Sequence, residues 1–216
     1  MQKNVKTTTA KERMLKKIRH ALLQKREHPY PGFEETELYA EETDSIDVLF
    51  AQRFTAAAGK FVYCENEVSF IENLLSLADK EVLRRMYAWE PRIQQLLEQY
   101  EFPFFRSNKG FAEAEAGITG CEALIARFGS ILISNADASG RQLTIYPHMH
   151  IVVAYTSQLV MDIKDGLGLM RRRYGVALPS LISVITGPSR TADIEKTLVL
   201  GAHGPKEVFV FLLEDQ

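Results

Sequence analysis

Four stretches of this sequence set reactive side chains beside residues that shape the backbone. The densest is Thr186-Gly187-Pro188-Ser189-Arg190-Thr191-Ala192-Asp193-Ile194-Glu195. Gly187 and Pro188 force a sharp turn, and the residues after them read as a helix start that Ser189 or Thr191 caps. Free amides at such a start, with the Arg190 guanidinium, would hold a carboxylate or phosphate. Plain capping, with Arg190 paired to Asp193 or Glu195, is the other use of the same residues. The second stretch is Gly201-Ala202-His203-Gly204-Pro205-Lys206. There His203 would orient a ligand or exchange a proton near neutral pH, or else fix the turn through the backbone, and Lys206 adds a cation.

The third stretch, Ala116 to Ala123, carries Gly117 and Gly120, which allow close backbone approach, with Thr119 and Glu122 beside them. Glu122 is expected in the first turn of a following helix; packing alone would also explain the glycines. The fourth is His148-Met149-His150, whose two imidazoles would share one side of a strand. A metal site needs three or four ligands and no third stands nearby, so no metal is expected. Gly166-Leu167-Gly168 has Arg171 where a dinucleotide loop needs its third glycine, and no phosphate-loop sequence occurs. Catalytic roles are open, with His203, Glu195 and Asp193 as candidates. The ligand-binding candidates are Gly187, Ser189, Arg190, Thr191, His203, Lys206, Thr119 and Glu122.

The elements that must position these residues alternate. Thr9 and Glu12 have capping-box spacing, and Met14, Ile18 and Leu22 predict an amphipathic helix over 9–26, stopped by His28-Pro29-Tyr30-Pro31-Gly32. A helix over 45–58, a strand over 60–64, a helix capped by Asn66 and a weak strand over 82–89 follow. Pro91 then starts another helix. Beyond it the pattern predicts a strand end and turn at 117–120 and short strands at 130–134, 143–146 and 150–155. A helix from Thr156 to about Arg173, a buried strand over 181–186, a helix over 191–198 and a buried strand over 208–213 complete the chain. Alternating strands and helices with continuous apolar strands indicate an α/β fold with a largely parallel sheet covered by helices.

The chain has 216 residues, 46% of them hydrophobic and 25% charged, with a formal net charge of −2. That excludes disorder, a coiled coil and a nucleic-acid-binding polycation. Charge is nevertheless segregated. Nine basic residues stand against two acidic ones in the first 28, and seven acidic residues with no basic one fill 34–47. This predicts a division into a basic helix with an acidic connector, 1–43, and an α/β domain, 44–216. The connector is expected to be solvated surface; self-association or docking is its functional alternative. The two cysteines, Cys64 and Cys121, lack cluster-binding spacing and fit a reducing, cytoplasmic setting, although a disulfide between them stays open. The polar, basic N-terminus predicts no signal peptide, and no apolar run is long enough for a membrane span.

Taken together, Gly117-Ile118-Thr119, Ala126-x-x-Gly129, Tyr146-Pro147-x-x-His150-Ile151, the 187–195 run and Gly201-x-His203-Gly204-Pro205-Lys206 resemble the LUD (lactate-utilization) domain family, most of all its C-type members. The resemblance implies a fold similar to ribose-5-phosphate isomerase, CoA transferases and 5-formyltetrahydrofolate cyclo-ligase, here with an N-terminal helical extension. It also implies a bacterial system that oxidises L-lactate to pyruvate, with iron–sulfur clusters held by partner subunits and none by this chain. One departure stands out: Arg127 occupies a position where many members carry Glu.

Three functions follow as expectations. The first is a component of L-lactate oxidation whose pocket, built from the 187–195 loop, the 201–206 loop and the 117–122 turn, binds a small anion. There Arg190 would clamp the anion, Ser189 and Thr191 would donate hydrogen bonds, and His203 would orient or protonate. The second is a stand-alone isomerase, transferase or cyclo-ligase using Glu195, Asp193 or Glu122, a weaker inference because it rests on fold analogy. The third is a regulatory or assembly protein that works through residues 1–43.

Overall fold

The computed structural model describes residues 9–23, 39, 42–136, 139, 142–194, 197–201 and 203–215. Glu195 and most of the acidic connector lie outside them. Residues 1–43 and 44–216 form two separate units. In the first, helix α1 (Ala10–Leu23) starts at a capping box: the Thr9 amide donates to Glu12 and the Glu12 amide donates to the Thr9 hydroxyl. None of its residues is buried, so the Met14, Ile18 and Leu22 stripe is exposed.

The second unit is built on a five-stranded sheet. Its strands are β1 (Lys60–Cys64), β2 (Met86–Ala88), β3 (Ala116–Thr119), β6 (Met149–Tyr155) and β11 (Glu207–Leu213). They lie in the order β1-β11-β6-β3-β2 with every pair parallel. Parallel strands need both faces covered, and side-chain alternation assigns the covers. Ile151, Val153, Phe209, Phe211 and Leu213 pack under α3 (Glu67–Lys80) and α4 (Pro91–Gln99). Val152, Ala154, Val208, Val210 and Leu212 face the other way, against α2 (Ile46–Ala56) and a second sheet. That sheet holds β4 (Ala123–Ile125), β5 (Ser130–Ser134), β7 (Leu159–Val160) and β8 (Ile182–Ile185), in the order β7-β4-β5-β8. Its outer face, through Ala123, Ile125 and Leu132, meets Met170 of α5 (Ile163–Tyr174). The α/β class is therefore as the alternation predicts, with a second and mostly antiparallel sheet added beneath the parallel one.

Local chemistry explains the elements that match. The Asn66 side chain accepts from the Ser69 amide at 2.9 Å, and Pro91 occupies the start of α4. Other expectations are corrected. Residues 191–194 and 197–198 are not helical: Arg190–Ile194 and Thr197–Leu200 pair as antiparallel strands, β9 and β10, in keeping with the β-branched residues of that stretch. Consequently Ser189 and Thr191 cap no helix. Gln142–Ile145 is a turn and not a strand, closed by the Tyr146 amide on the Gln142 carbonyl at 2.9 Å. The helix expected from Thr156 starts only at Ile163, after β7, because Asp162 and Asp165 supply its capping box. Strand β8 is an edge strand with Val184 exposed, and is not buried. Glu122 precedes strand β4, where a helix was expected.

Candidate functional site

The three predicted site segments do not share one pocket. Register places Glu207 opposite Met149 at the amino ends of β11 and β6, and Lys206 just outside, where its amide donates to the His148 carbonyl at 2.8 Å. Thr119 sits opposite Val152, and Gly120 to Glu122 lie beyond it, past the carboxyl end of β3. The 187–190 and 201–206 loops therefore stand at one end of the parallel sheet and the 119–122 turn at the other.

At the amino end, the two loops clasp each other and α2. The Ser189 amide donates to the Pro205 carbonyl at 2.9 Å, and the Gly201 amide donates to the Ser189 carbonyl at 3.0 Å. Arg190 donates from Nη2 to the Ala57 carbonyl at the end of α2. Gly187 has φ of 69°, and a side chain there would fall on that same carbonyl oxygen. Gly201, with φ of 73°, lies on the Lys206 stem. His203 and Lys206 are exposed. The Ser189 amide and the Arg190 guanidinium thus meet backbone carbonyls; Arg190, expected to clamp an anion or, in plain capping, to pair with Asp193 or Glu195, is on the Ala57 carbonyl.

The carboxyl end is different. Glu90, at the N-cap position of α4, is 8% exposed and accepts the Gly120 amide at 2.8 Å. Glu122, 5% exposed, accepts from Ser134 Oγ at 2.6 Å, Arg173 Nη1 at 2.7 Å and Tyr174 Oη at 2.8 Å. A buried carboxylate is tolerable only with such partners. The Arg173 side chain remains half exposed. It lines a pocket of about 350 Å³ with Glu90, Arg92, Gly120, Cys121, Tyr155 and Gln158. Arg92 stacks on the Tyr155 ring, 4.4 Å from its centroid, and Gln158 donates to the Cys121 carbonyl at 2.6 Å. Burial pushes the Cys121 thiol well above its ordinary value, and the Glu90 and Glu122 charges add to the shift, so it is neutral and a poor nucleophile. Both cysteines are free, Cys64 on β1 and Cys121 at this pocket.

A second, smaller chamber borders this pocket. About 10 Å³ in volume, it is lined by Thr119, Glu122, Ile133, Ser134, Ser139 and Thr144, and it shares Glu90, Gly120 and Cys121 with the larger pocket. Thr119 Oγ1 lies 2.9 Å from Nε2 of the fully buried His150. Burial lowers the His150 pKa to about 4, so its ring is neutral. Among the described residues, no group of three His, Cys, Asp or Glu could hold a metal ion.

Thr119 and Glu122 are the predicted site residues that reach this end. Glu90, Arg92, Tyr155, Gln158, Arg173, Ser139 and Thr144 were missed. The signal for Glu90 was present: an acid between a short strand and a Pro-initiated helix, at the strand end where ligands of open α/β sheets sit. Nothing local marks Arg173, which reaches the pocket from the last turn of α5. Arg127, the departure from the family pattern, donates to Asp162 at 2.9 Å, so its charge is answered within the domain and away from the pocket residues.

An α/β protein with buried carboxylates and arginines at the carboxyl ends of parallel strands is the class that fold and site define. The LUD domain matches residues 105–213, half of the chain. The chain belongs to the LUD domain family. Lactate utilization protein C of Bacillus subtilis (strain 168) is 34% identical over 106 residues, covering 48% of this chain and 44% of that protein. Lactate utilization protein C of a Geobacillus species (strain WCH70) is 32% identical over 114 residues, covering 51% and 47%. The match thus spans less than half the length of these curated relatives. The crystal structure of a DUF162 family protein from Deinococcus radiodurans shares the fold, with a TM-score of 0.56 at 20% identity over 78% of this chain and 96% of that one.

Proposed function

We propose that this chain is the small-carboxylate-binding component of a bacterial, cytoplasmic system that oxidises L-lactate to pyruvate. The relatives named lactate utilization protein C support the metabolic assignment. Iron–sulfur partner subunits would carry the electrons, since this chain has only two, widely separated cysteines. Among the described residues no helix is long and apolar enough to cross a membrane.

Arg173 carries the ligand half of the proposal. A guanidinium has five donors in a planar fork, and the contact with Glu122 engages Nη1. Glu122 fixes the fork at the pocket, and Arg92 adds a second cation to the same lining. A small carboxylate is the ligand such a pair recognises. The amino-end loops, where the Ser189 amide and Arg190 Nη2 are held by backbone carbonyls, are the weaker candidate despite their motif.

Calorimetric titration with L-lactate and pyruvate separates the two ends. Arg173→Ala is expected to weaken binding at least about tenfold, the loss of a charge-assisted hydrogen bond, and Arg190→Ala to leave it unchanged. The reverse result would move the site to the loop cluster. Iron co-eluting with the chain from its native extract, together with lactate-dependent dye reduction, would support the partners; an iron-free chain without that activity would remove them.

A further inference from the structure

Helix α1 carries an apolar face that stays open to solvent. Met14, Leu15, Ile18 and Leu22 fall within about 100° of its circumference, given 3.6 residues per turn. All four are between 43% and 78% exposed, and no residue of the helix is buried. Arg13, Lys16, Lys17 and Arg19 occupy the opposite side. A helix of 14 residues is marginal in water by itself, and protein helices gain most of their stability by packing an amphipathic face. The capping box of Thr9 and Glu12 fixes where α1 begins but gives the stripe nothing to pack on. A contiguous apolar stripe rimmed by charge marks an interaction surface.

Charge defines the partner that fits. Residues 1–47 hold nine basic and nine acidic side chains, every basic one before position 27 and seven of the acidic ones in 34–47. The segment is neutral as a whole yet sharply divided. An anionic lipid surface or a nucleic acid would attract the helix and repel the acidic stretch that follows it in the chain. A partner that answers both blocks carries an acidic patch and a basic patch beside an apolar stripe. A second copy of this chain carries all three. Pairing of the two charge blocks inside one chain would neutralise the basic side of α1 and still leave the stripe open. In either arrangement the acidic block removes the repulsion that would keep two basic helices apart.

We propose that α1 is a self-association element: its Met14, Leu15, Ile18 and Leu22 stripe packs on the same stripe of a second copy, while the acidic 34–47 segments neutralise the basic flanks. The inference is independent of the carboxylate pocket. The same surface serves both copies, so the contact closes on itself and assembly stops at a dimer. A pair of 14-residue helices offers less than the roughly 1,200 Å² that a stable complex buries, so the dimer is weak and forms as concentration rises.

The test is sedimentation equilibrium of the full chain over a wide concentration range. The wild-type protein should pass from monomer to dimer, and about tenfold more sodium chloride should weaken the dimer several-fold. Ile18→Gln combined with Leu22→Gln keeps helix propensity but makes the stripe polar, and should raise the dissociation constant at least about tenfold. Glu34→Gln, Glu35→Gln and Glu37→Gln together should raise it by less, a few-fold. Amide hydrogen exchange across 10–23 should slow as concentration rises, which places the contact on α1. A chain that stays monomeric throughout would overturn the proposal, and its co-sedimentation with phosphatidylglycerol vesicles would give the face to a lipid surface instead. A dimer as tight in the Ile18 and Leu22 variant as in the wild type, or exchange protection confined to the α/β domain, would also overturn it. A dimer insensitive to salt and to the three Glu substitutions would overturn the role given to the acidic segments.

Discussion

The two ends of the parallel sheet use their glycines and charges in opposite ways. At the amino end, Gly187 and Gly201 adopt left-handed backbone and pack on a carbonyl and a lysine stem, while Arg190 holds the end of α2. At the carboxyl end, Gly120 makes room for a carboxylate, and charged groups are buried beside open volume. A dense motif of polar residues can thus be a structural clasp. The proposed ligand site lies past the carboxyl ends of the strands, where the backbone carries no further ladder.

Substitutions can break that contrast. The largest effect is expected for Gly187→Ala, which meets a backbone carbonyl that cannot move aside and a φ of 69°. A loss of about 3 kcal/mol or more by denaturant titration would fit; a loss below about 1 kcal/mol would show that the clasp is dispensable. Next is acid sensitivity at His150, one residue in from the amino end of β6. His150 is neutral in the fold, with its pKa lowered from 6.5 to about 4 by burial. Between those values the unfolded chain binds a proton that the folded chain does not. Its contribution is therefore full above pH 6.5 and declines as pH falls toward 4, by about 3 kcal/mol at most. His150→Gln should flatten the change in melting temperature between pH 7.5 and pH 5; equal slopes would place the sensitivity elsewhere. The smallest stability effect belongs to Gly120→Ala, whose new methyl would meet only the movable Glu90 Oε2 at 2.9 Å. It should cost under about 1 kcal/mol yet weaken L-lactate binding several-fold, the inverse of Gly187→Ala. Large destabilisation with intact binding would erase the distinction between the two ends.

Much of the architecture was legible because local patterns and tertiary packing agree. The runs 151–155 and 208–213 are continuously apolar because both of their faces are covered, and Asn66 and Pro91 start helices through their own side-chain chemistry. The antiparallel pair at 190–194 and 197–200 was misread because Ser, Thr, Asp and Glu after a Gly-Pro turn imitate a helix start. Single residues there have strand propensity, but cross-strand pairing is what realises it. The 143–146 turn looked like a strand because apolar Leu143 and Ile145 alternate; in fact Leu143 closes over Gly117 from a turn.

By itself the sequence determined the α/β class, the family pattern and the short list of residues able to do chemistry, because periodicity, caps and motif spacing are local. Only the tertiary structure decided which of those residues meet. Glu122 and Arg173 are 51 positions apart, and Glu90 and Gly120 are 30 apart. Whether a charge ends on a backbone carbonyl or beside a cavity depends on which end of the sheet its strand delivers it to. Strand order and direction fix that, and they are set by the burial of faces contributed from the whole chain.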